Sequence, residues 1–196
     1  MERKFEAVVM GASAGGLEAL STVLPLLHSD FSLPVMIVMH LPPDKNSILA
    51  ELLDAKCPLT VSEANDKEPL EAGHVYIAPP DYHLLTEKDR SLSLSSEEEI
   101  MYSRPSIDVL FETAADAYGP ALIGVVFSGA NEDGAKGAKA ITKAGGMVLV
   151  QDPDSAGSSI MPQSALKICA EARKLSLEDI AIALNNAQTI GRYDTI

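Results

Sequence analysis

The sequence lacks long apolar runs and any excess of positive charge. No apolar run in its 196 residues approaches the roughly 20 residues that span a bilayer. Lys and Arg number 15 against 28 Asp and Glu, which gives a formal charge of -13. No basic stripe is available to displace counterions from nucleic-acid phosphates or from an anionic membrane. We therefore expect neither a nucleic-acid partner nor direct membrane insertion.

Paired cysteines are also missing. Cys57 and Cys169 lie far apart and have the spacing of neither a zinc site nor a redox motif. We predict buried free thiols, which suits a cytoplasmic location. No basic segment followed by an apolar stretch and a cleavage site precedes the first apolar run, so export is not expected.

Composition and length predict one globular domain over residues 1–196. The apolar fraction is 46% and the charged fraction is 22%, both typical of globular proteins. No linker, repeat or low-complexity tract marks a boundary within the chain.

Short apolar runs alternate with helix-like segments along most of the chain. The runs at 6–10, 33–39, 121–127 and 146–150 predict buried strands, and the spacing at 17–28, 46–56 and 134–144 predicts helices. Such alternation is typical of an α/β fold, a doubly wound and mostly parallel sheet with helices on both faces.

The pattern of residues changes between the predicted strands at 33–39 and 121–127. Segments 58–64, 73–78, 82–86 and 91–95 are short and broken by Gly, Pro and charge, which predicts an antiparallel hairpin insert. Beyond it, Pro105 in a first turn predicts an amphipathic helix. Ser176, with Asp179 three positions on, predicts the N-cap of a last helix.

The first strand leads into a glycine-rich turn with three familiar uses. A P-loop is excluded because the turn has no Lys, and a dinucleotide-binding turn is disfavoured because Ser13 replaces the middle glycine. A nucleophile elbow of the form Gly-x-Ser-x-Gly fits residues 11–15 at every position. A structural turn in which Ser13 is only an N-cap remains the alternative.

A nucleophilic serine needs a base, and the chain has four histidines. His40 directly follows the second strand, at the sheet edge where ligands bind in parallel sheets. His83 is the rival, although it belongs to the hairpin region. His28 at a helix end and His74 in a turn have ordinary structural explanations.

The base in turn needs an acid to orient it. Asp133 follows the strand at 121–127 and is the favoured candidate, although it could merely cap the helix that starts at Gly134. Asp108 and Asp152 are weaker alternatives. The order Ser13, His40, Asp133 differs from that of an α/β-hydrolase but permits the same chemistry.

Several motifs together resemble one known family, the bacterial chemotaxis protein-glutamate methylesterases (CheB), over nearly the whole chain. They are Gly11-Ala12-Ser13-Ala14-Gly15-Gly16, Met39-His40-Leu41-Pro42, Val75-Tyr76-Ile77-Ala78-Pro79-Pro80-Asp81-Tyr82-His83, Arg104-Pro105-Ser106-Ile107-Asp108 and Ser128-Gly129 with Asp133-Gly134-Ala135.

The resemblance implies a serine hydrolase that demethylates glutamate γ-methyl esters on the cytoplasmic helices of chemoreceptors and can also deamidate glutamines. It places the family's catalytic triad on Ser13, His40 and Asp133 and implies neither a cofactor nor a metal. The competing hypotheses are a catalytically weak receptor-binding or signalling module of the same fold and a nucleotide-binding domain.

The chain departs from the family pattern in three ways. Ala14 stands where the family often has Thr, and Ala130 stands where it usually has Met near the oxyanion site. The 196 residues also contain no receiver domain, so a separate receiver is a possible partner.

Overall fold

The structure is a computed structural model that describes residues 4–41 and 48–189. Nine strands occur in the described residues: β1 Ala7–Ala12, β2 Val35–Met39, β3 Thr60–Glu63, β4 His74–Ile77, β5 His83–Thr86, β6 Leu92–Ser95, β7 Leu122–Val126, β8 Met147–Gln151 and β9 Arg173–Leu175. Seven of them form a parallel sheet in the order β3-β4-β2-β1-β7-β8-β9, and β5 and β6 form a separate antiparallel pair.

The same described residues contain six α-helices: α1 Gly16–Val23, α2 Leu49–Asp54, α3 Ile107–Tyr118, α4 Ala135–Lys143, α5 Ile160–Ile168 and α6 Leu177–Thr189. They divide between the two faces of the sheet. Helices α1, α2 and α6 share one buried cluster with Val8 and Met10 of β1, whereas α3, α4 and α5 share a second cluster with Ala7 and Val9.

This division follows from the pleat of a strand, because successive side chains point to opposite faces of a sheet. Every residue of β1 and β2 is buried, as expected when helices cover both faces. The predicted doubly wound α/β fold, with helices on both faces and a hairpin insert, is confirmed.

The extent of the hairpin insert was predicted wrongly. Only β5 and β6 form a hairpin, whereas β3 and β4 pair in parallel at one edge of the main sheet, with Thr60 opposite His74. The connection through residues 64–73 is long enough to carry the chain back to the same end of the sheet, which a tight hairpin turn cannot do.

Two predicted helices begin or end elsewhere. The helix predicted at 17–28 ends as an α-helix at Val23, and a 3-10 turn follows over Leu24–Leu26. Pro25 causes this change, because it has no N–H to donate an α-helical hydrogen bond. Helix α3 begins at Ile107 rather than at Pro105, since Ser106 has an extended backbone. Of the second predicted helix, residues 46 and 47 lie outside the described residues.

The predicted cap of the last helix is present. The Asp179 amide donates to Ser176 Oγ at 3.1 Å, and that hydroxyl donates to the Asp179 carboxylate at 2.8 Å. Both cysteines are free thiols; Cys169 is buried as predicted, while Cys57 is only half-buried. None of the described helices combines the length and apolarity needed to cross a membrane.

Candidate active site

Ser13 lies in the turn between β1 and α1, half-buried at the carboxyl end of the central strand. Its amide donates to the Ser128 carbonyl at 2.9 Å, and its own carbonyl accepts from the Gly16 amide at 2.7 Å. Gly15 has a φ of +79°, and a Cβ there would lie 2.6 Å from Ser128 Oγ. Only glycine therefore fits this turn.

Ser128, two residues after the end of β7, hydrogen-bonds to the same turn. Its buried hydroxyl donates to the Ala14 carbonyl at 2.6 Å and accepts from the Ser158 amide at 2.8 Å. The backbone around Ser13 is thus fixed by groups from two other segments of the chain.

His40 lies beside this turn because β1 and β2 are neighbouring parallel strands. Ala12 is opposite Met39 in the register, and the His40 amide donates to the Ala12 carbonyl at 3.0 Å. Strand β1 lies between β2 and β7, at the switch point of the sheet order. Crevices at such points are the usual ligand sites of doubly wound sheets.

Asp133 contacts the His40 ring. Its Oδ2 lies 2.9 Å from His40 Nε2, and the carboxylate is fully buried. Burial alone would raise the pKa of Asp133, but the bonds from His40 and from the Asp108 and Ile107 amides outweigh it and lower that pKa. Asp133 is therefore held as a carboxylate against His40.

The other ring nitrogen of His40 faces Asn131. Because Asp133 is a carboxylate and can only accept, Nε2–H donates to it and Nδ1 is the unprotonated nitrogen, which lies 3.5 Å from Asn131 Nδ2. Among the described residues, no hydrogen bond joins Ser13 Oγ to His40. The structure thus brings Ser13, His40 and Asp133 to one edge, with the His40–Asp133 bond formed.

Asp133 does cap a helix, although not in the way that sequence reasoning considered. Its main acceptor role is at the start of α3, where it accepts hydrogen bonds from Ser106 Oγ at 3.0 Å, the Ile107 amide at 2.7 Å and the Asp108 amide at 2.9 Å. It also accepts from the Gly134 amide, just before α4, at 3.0 Å.

The alternative candidates lie in other environments. Both ring nitrogens of His83 are engaged, Nδ1 by the Ser106 amide at 3.1 Å and Nε2 by the Glu98 carbonyl at 3.0 Å. His74 bonds Ser62 Oγ and stacks on Tyr76. The Asp152 carboxylate accepts from the Asp154 amide and pairs with Lys174.

Asp108 does not contact His40 but accepts from the amides of Gly134 and Gly137 at the start of α4. Burial raises its pKa to about 6; the Gly137 bond opposes this increase and the charge of Asp133 adds to it. Sequence reasoning weighed Asp108 only as an orienting acid, since nothing in the local pattern shows which amides a helical aspartate caps.

A cavity of about 110 Å³ opens beside His40. Its walls come from three segments and include Met39, Leu41, Pro80, Tyr102 and Arg104. Arg104 belongs to a motif that the sequence analysis singles out, but the wall formed by residues 99–105 could not be predicted, because only the fold brings this segment next to β2. In the described ranges 4–41 and 48–189, no group of three or more His, Cys, Asp or Glu side chains is arranged to hold a metal ion.

Fold and site together define a three-layer α/β protein with a crevice of mixed polar and apolar lining at the carboxyl edge of its parallel sheet. The CheB methylesterase family profile matches residues 8–184, and the chain belongs to that family. The predicted family and enzyme class, a carboxylic ester hydrolase of the methylesterase type, are thereby confirmed.

Relatives of known name agree with this assignment. A protein of Leptospira interrogans named "Putative protein-glutamate methylesterase/protein-glutamine glutaminase" is 47% identical over 177 residues, which are 90% of this chain and 92% of the relative. A "Protein-glutamate methylesterase/protein-glutamine glutaminase 1" of Rhodospirillum rubrum is 35% identical over 185 residues, 92% of this chain but only 48% of the relative.

A solved structure shows the same fold. The crystal structure of the Thermotoga maritima CheB methylesterase catalytic domain matches with a TM-score of 0.88 and 34% identity. The match covers 93% of this chain and 98% of that domain.

Proposed function

We propose that this protein hydrolyses glutamate γ-methyl esters on chemoreceptors, with Ser13 as nucleophile, His40 as base and Asp133 as the acid that orients it. The bond between His40 and the buried Asp133, formed beside the Ser13 turn, carries the proposal. The names of the relatives supply the substrate, a protein glutamate ester, and a second activity on protein glutamine.

In the proposed reaction, Ser13 Oγ attacks the ester carbonyl carbon while His40 Nδ1 takes the hydroxyl proton. Asp133 accepts a hydrogen bond from Nε2–H throughout and, remaining a carboxylate, stabilises the imidazolium. His40 then protonates the departing methoxide, which leaves as methanol, and a water molecule hydrolyses the acyl-enzyme by the same route. With a glutamine side chain the leaving group is ammonia.

The tautomer of His40 supports this assignment. A base must present an unprotonated nitrogen, and Nδ1 is unprotonated when Nε2 donates to Asp133. Asn131 occupies that nitrogen in the free protein, so Ser13 must replace it when substrate binds. Catalytic hydrogen bonds often tighten only in the substrate complex.

Backbone amides are the proposed donors to the oxyanion. Ala14 lies within the Ser13 turn, and Ala130 follows two residues after Ser128, whose carbonyl accepts from the Ser13 amide; neither alanine amide has a hydrogen-bond partner among the described residues. A backbone donor serves whatever the side chain is, so alanine at both positions is compatible with this role.

A fluorophosphonate probe tests the nucleophile, and methanol release from a methylated receptor fragment tests the substrate. We expect the wild type to be labelled on Ser13 and to release methanol. Ser13→Ala should lose labelling and lower turnover by about 10⁴-fold. Ser155→Ala, which changes an exposed serine in the same way, is the control and should behave like the wild type.

Two results would contradict the proposal. Methanol release at the wild-type rate by Ser13→Ala would exclude Ser13 as nucleophile. Receptor binding by a wild type that releases no methanol would instead support a non-catalytic signalling module.

A further inference from the structure

Asp108 and Asp133 are two buried carboxylates that cap each other's helices. Asp133, which precedes α4, accepts from Ser106 Oγ and from the Ile107 and Asp108 amides at the start of α3. Asp108, on α3, accepts from the amide just before α4 and from the Gly137 amide at 2.7 Å. Each helix start therefore depends on an aspartate from the other segment.

One backbone amide joins the two carboxylates. The Gly134 N–H donates to Asp108 Oδ1 at 2.9 Å and to Asp133 Oδ1 at 3.0 Å. The second oxygen of Asp133 is the one that contacts His40. The shared amide therefore links the Asp108 carboxylate to the Asp133 carboxylate, in addition to the direct bond from the Asp108 amide to Asp133.

The charges around Asp108 are unfavourable to a carboxylate. Its side chain is buried, and the charged groups that act on it are the anions Asp133 and Glu112. His83, from β5, bonds the Ser106 amide rather than either carboxylate, and of the two carboxylates His40 contacts only that of Asp133. Burial is the largest cause that raises the pKa of Asp108, and the two anions raise it further. The bond from the Gly137 amide opposes them, and the resulting pKa is about 6.

We propose that Asp108 is a positioning residue of the reaction, which holds Asp133 on His40 through the Gly134 amide and adds a negative charge that favours the imidazolium. This inference rests on the proposed function. As His40 takes the Ser13 proton, a positive ring forms next to Asp133 and near a second buried carboxylate. Charges act strongly on each other where water is excluded.

The rate at which a fluorophosphonate labels Ser13 tests this role without a receptor, because labelling needs only the serine and its base. We would measure the second-order rate constant from pH 5 to pH 9 for wild type, Asp108→Asn, Asp108→Glu and Asp116→Asn. Asp108→Asn keeps an oxygen acceptor for the α4 amides and removes the charge. Asp116→Asn makes the same change on the exposed side of α3.

We expect Asp108→Asn to label about tenfold more slowly than wild type at pH 7.5, which corresponds to roughly 1.4 kcal/mol. Its pH profile should also differ in shape from that of the wild type between pH 5 and pH 7, because the Asp108 charge, whose raised pKa of about 6 makes it pH-dependent in this range, is absent. Asp108→Glu keeps the charge and should keep an acid-range ionisation with a smaller loss of rate. Asp116→Asn should match the wild type.

Several outcomes separate this inference from the proposed function. If the wild type is labelled and Asp108→Asn has the same rate and pH profile, the proposed role of Asp108 is overturned and Ser13 remains the proposed nucleophile. A slower Asp108→Asn whose pH profile keeps the wild-type shape would show a structural effect alone and would also overturn it. If Asp108→Asn does not fold, an Asp108→Glu profile without an acid-range ionisation would likewise overturn the proposed role of Asp108. Unlabelled wild type would reject both proposals.

Discussion

The hydroxyl of Ser128 donates a 2.6 Å hydrogen bond to the carbonyl of Ala14, the residue directly after the proposed nucleophile. The same hydroxyl accepts from the Ser158 amide, so one buried side chain ties the β1–α1 turn to the segment before α5. The turn that presents Ser13 is therefore supported by contacts far away in the sequence.

Ser128→Ala should test this support. The change leaves the Ala14 carbonyl and the Ser158 amide without their partner, which should lower the free energy of unfolding by about 1–3 kcal/mol. Urea denaturation would measure the loss, and fluorophosphonate labelling of Ser13 should slow because the turn is less well held. Ser155→Ala, which removes only an exposed bond to the Asp152 carbonyl, should leave the labelling rate unchanged and alter the free energy of unfolding by no more than about 0.5 kcal/mol. Unchanged stability in Ser128→Ala would show that the turn holds without this hydroxyl.

Gly15→Ala should disrupt the same turn from the other side. The backbone at Gly15 has a positive φ, and an added Cβ would lie 2.6 Å from Ser128 Oγ and 3.2 Å from the Gly157 Cα. The conformation alone costs roughly 1–2 kcal/mol for alanine, and the close contacts add to it. We expect both a lower denaturation midpoint and loss of Ser13 labelling.

Gly119→Ala tests a positive-φ glycine away from the Ser13 turn, and its ψ of -124°, against -1° at Gly15, makes the backbone strain of alanine larger there. Gly119 also has a positive φ, but its nearest atom to an added Cβ, the Ala144 carbonyl oxygen, is 3.9 Å away. Gly119→Ala should therefore lose stability through backbone strain alone and keep its labelling rate. Equal labelling by both variants would argue that the turn geometry at Gly15 does not position Ser13.

Two substitutions of Ala130 should separate a backbone donor from a side-chain effect. Ala130→Met keeps the N–H and extends an exposed side chain, so ester turnover should stay within about threefold of wild type. Ala130→Pro removes the N–H and should lower turnover by about 10²-fold or more, as loss of one oxyanion donor typically does. Methanol release from a methylated receptor fragment would measure both. Comparable turnover by the two variants would exclude the Ala130 amide as an oxyanion donor.

The sequence predicts the central strands well because they are buried on both faces. Residues 6–10 and 33–39 form nearly continuous apolar runs, and this places Ser13 and His40 at strand ends with no knowledge of the fold. The parallel pairing of β3 with β4 is not predictable in this way, because periodicity shows which residues are buried but not which strand lies alongside.

The role of Asp108 could not be predicted from local pattern either. Asp108 and Gly134 are 26 positions apart, and they meet because α3 and α4 pack closely, with Gly137 against Phe111. The start of α3 at Ile107 was not predicted either, because the side chain that caps it is the distant Asp133 rather than a residue nearby in the sequence. Contacts of this kind depend on tertiary packing.

The ionisation of Asp108 should make Asp108→Asn more stable than the wild type at neutral pH. The carboxyl has a pKa of about 6 in the folded protein against an ordinary value of 3.8, so between these values the folded chain binds more protons than the unfolded chain. The contribution of this group to stability is therefore complete below about pH 4 and is lost as the pH rises through 6. The difference corresponds to about 3 kcal/mol.

Asparagine is neutral throughout and retains an oxygen for the Gly134 and Gly137 amides, so it avoids this loss. Urea denaturation at pH 7.5 should show Asp108→Asn more stable by up to about that amount, with the gap closing near pH 4, whereas Asp116→Asn should show no such pH-dependent gap. A gap of equal size at both pH values would mean that the substitution acts through packing or hydrogen bonding, and a less stable variant at pH 7.5 would mean that the buried charge is compensated by groups other than those that contact it here.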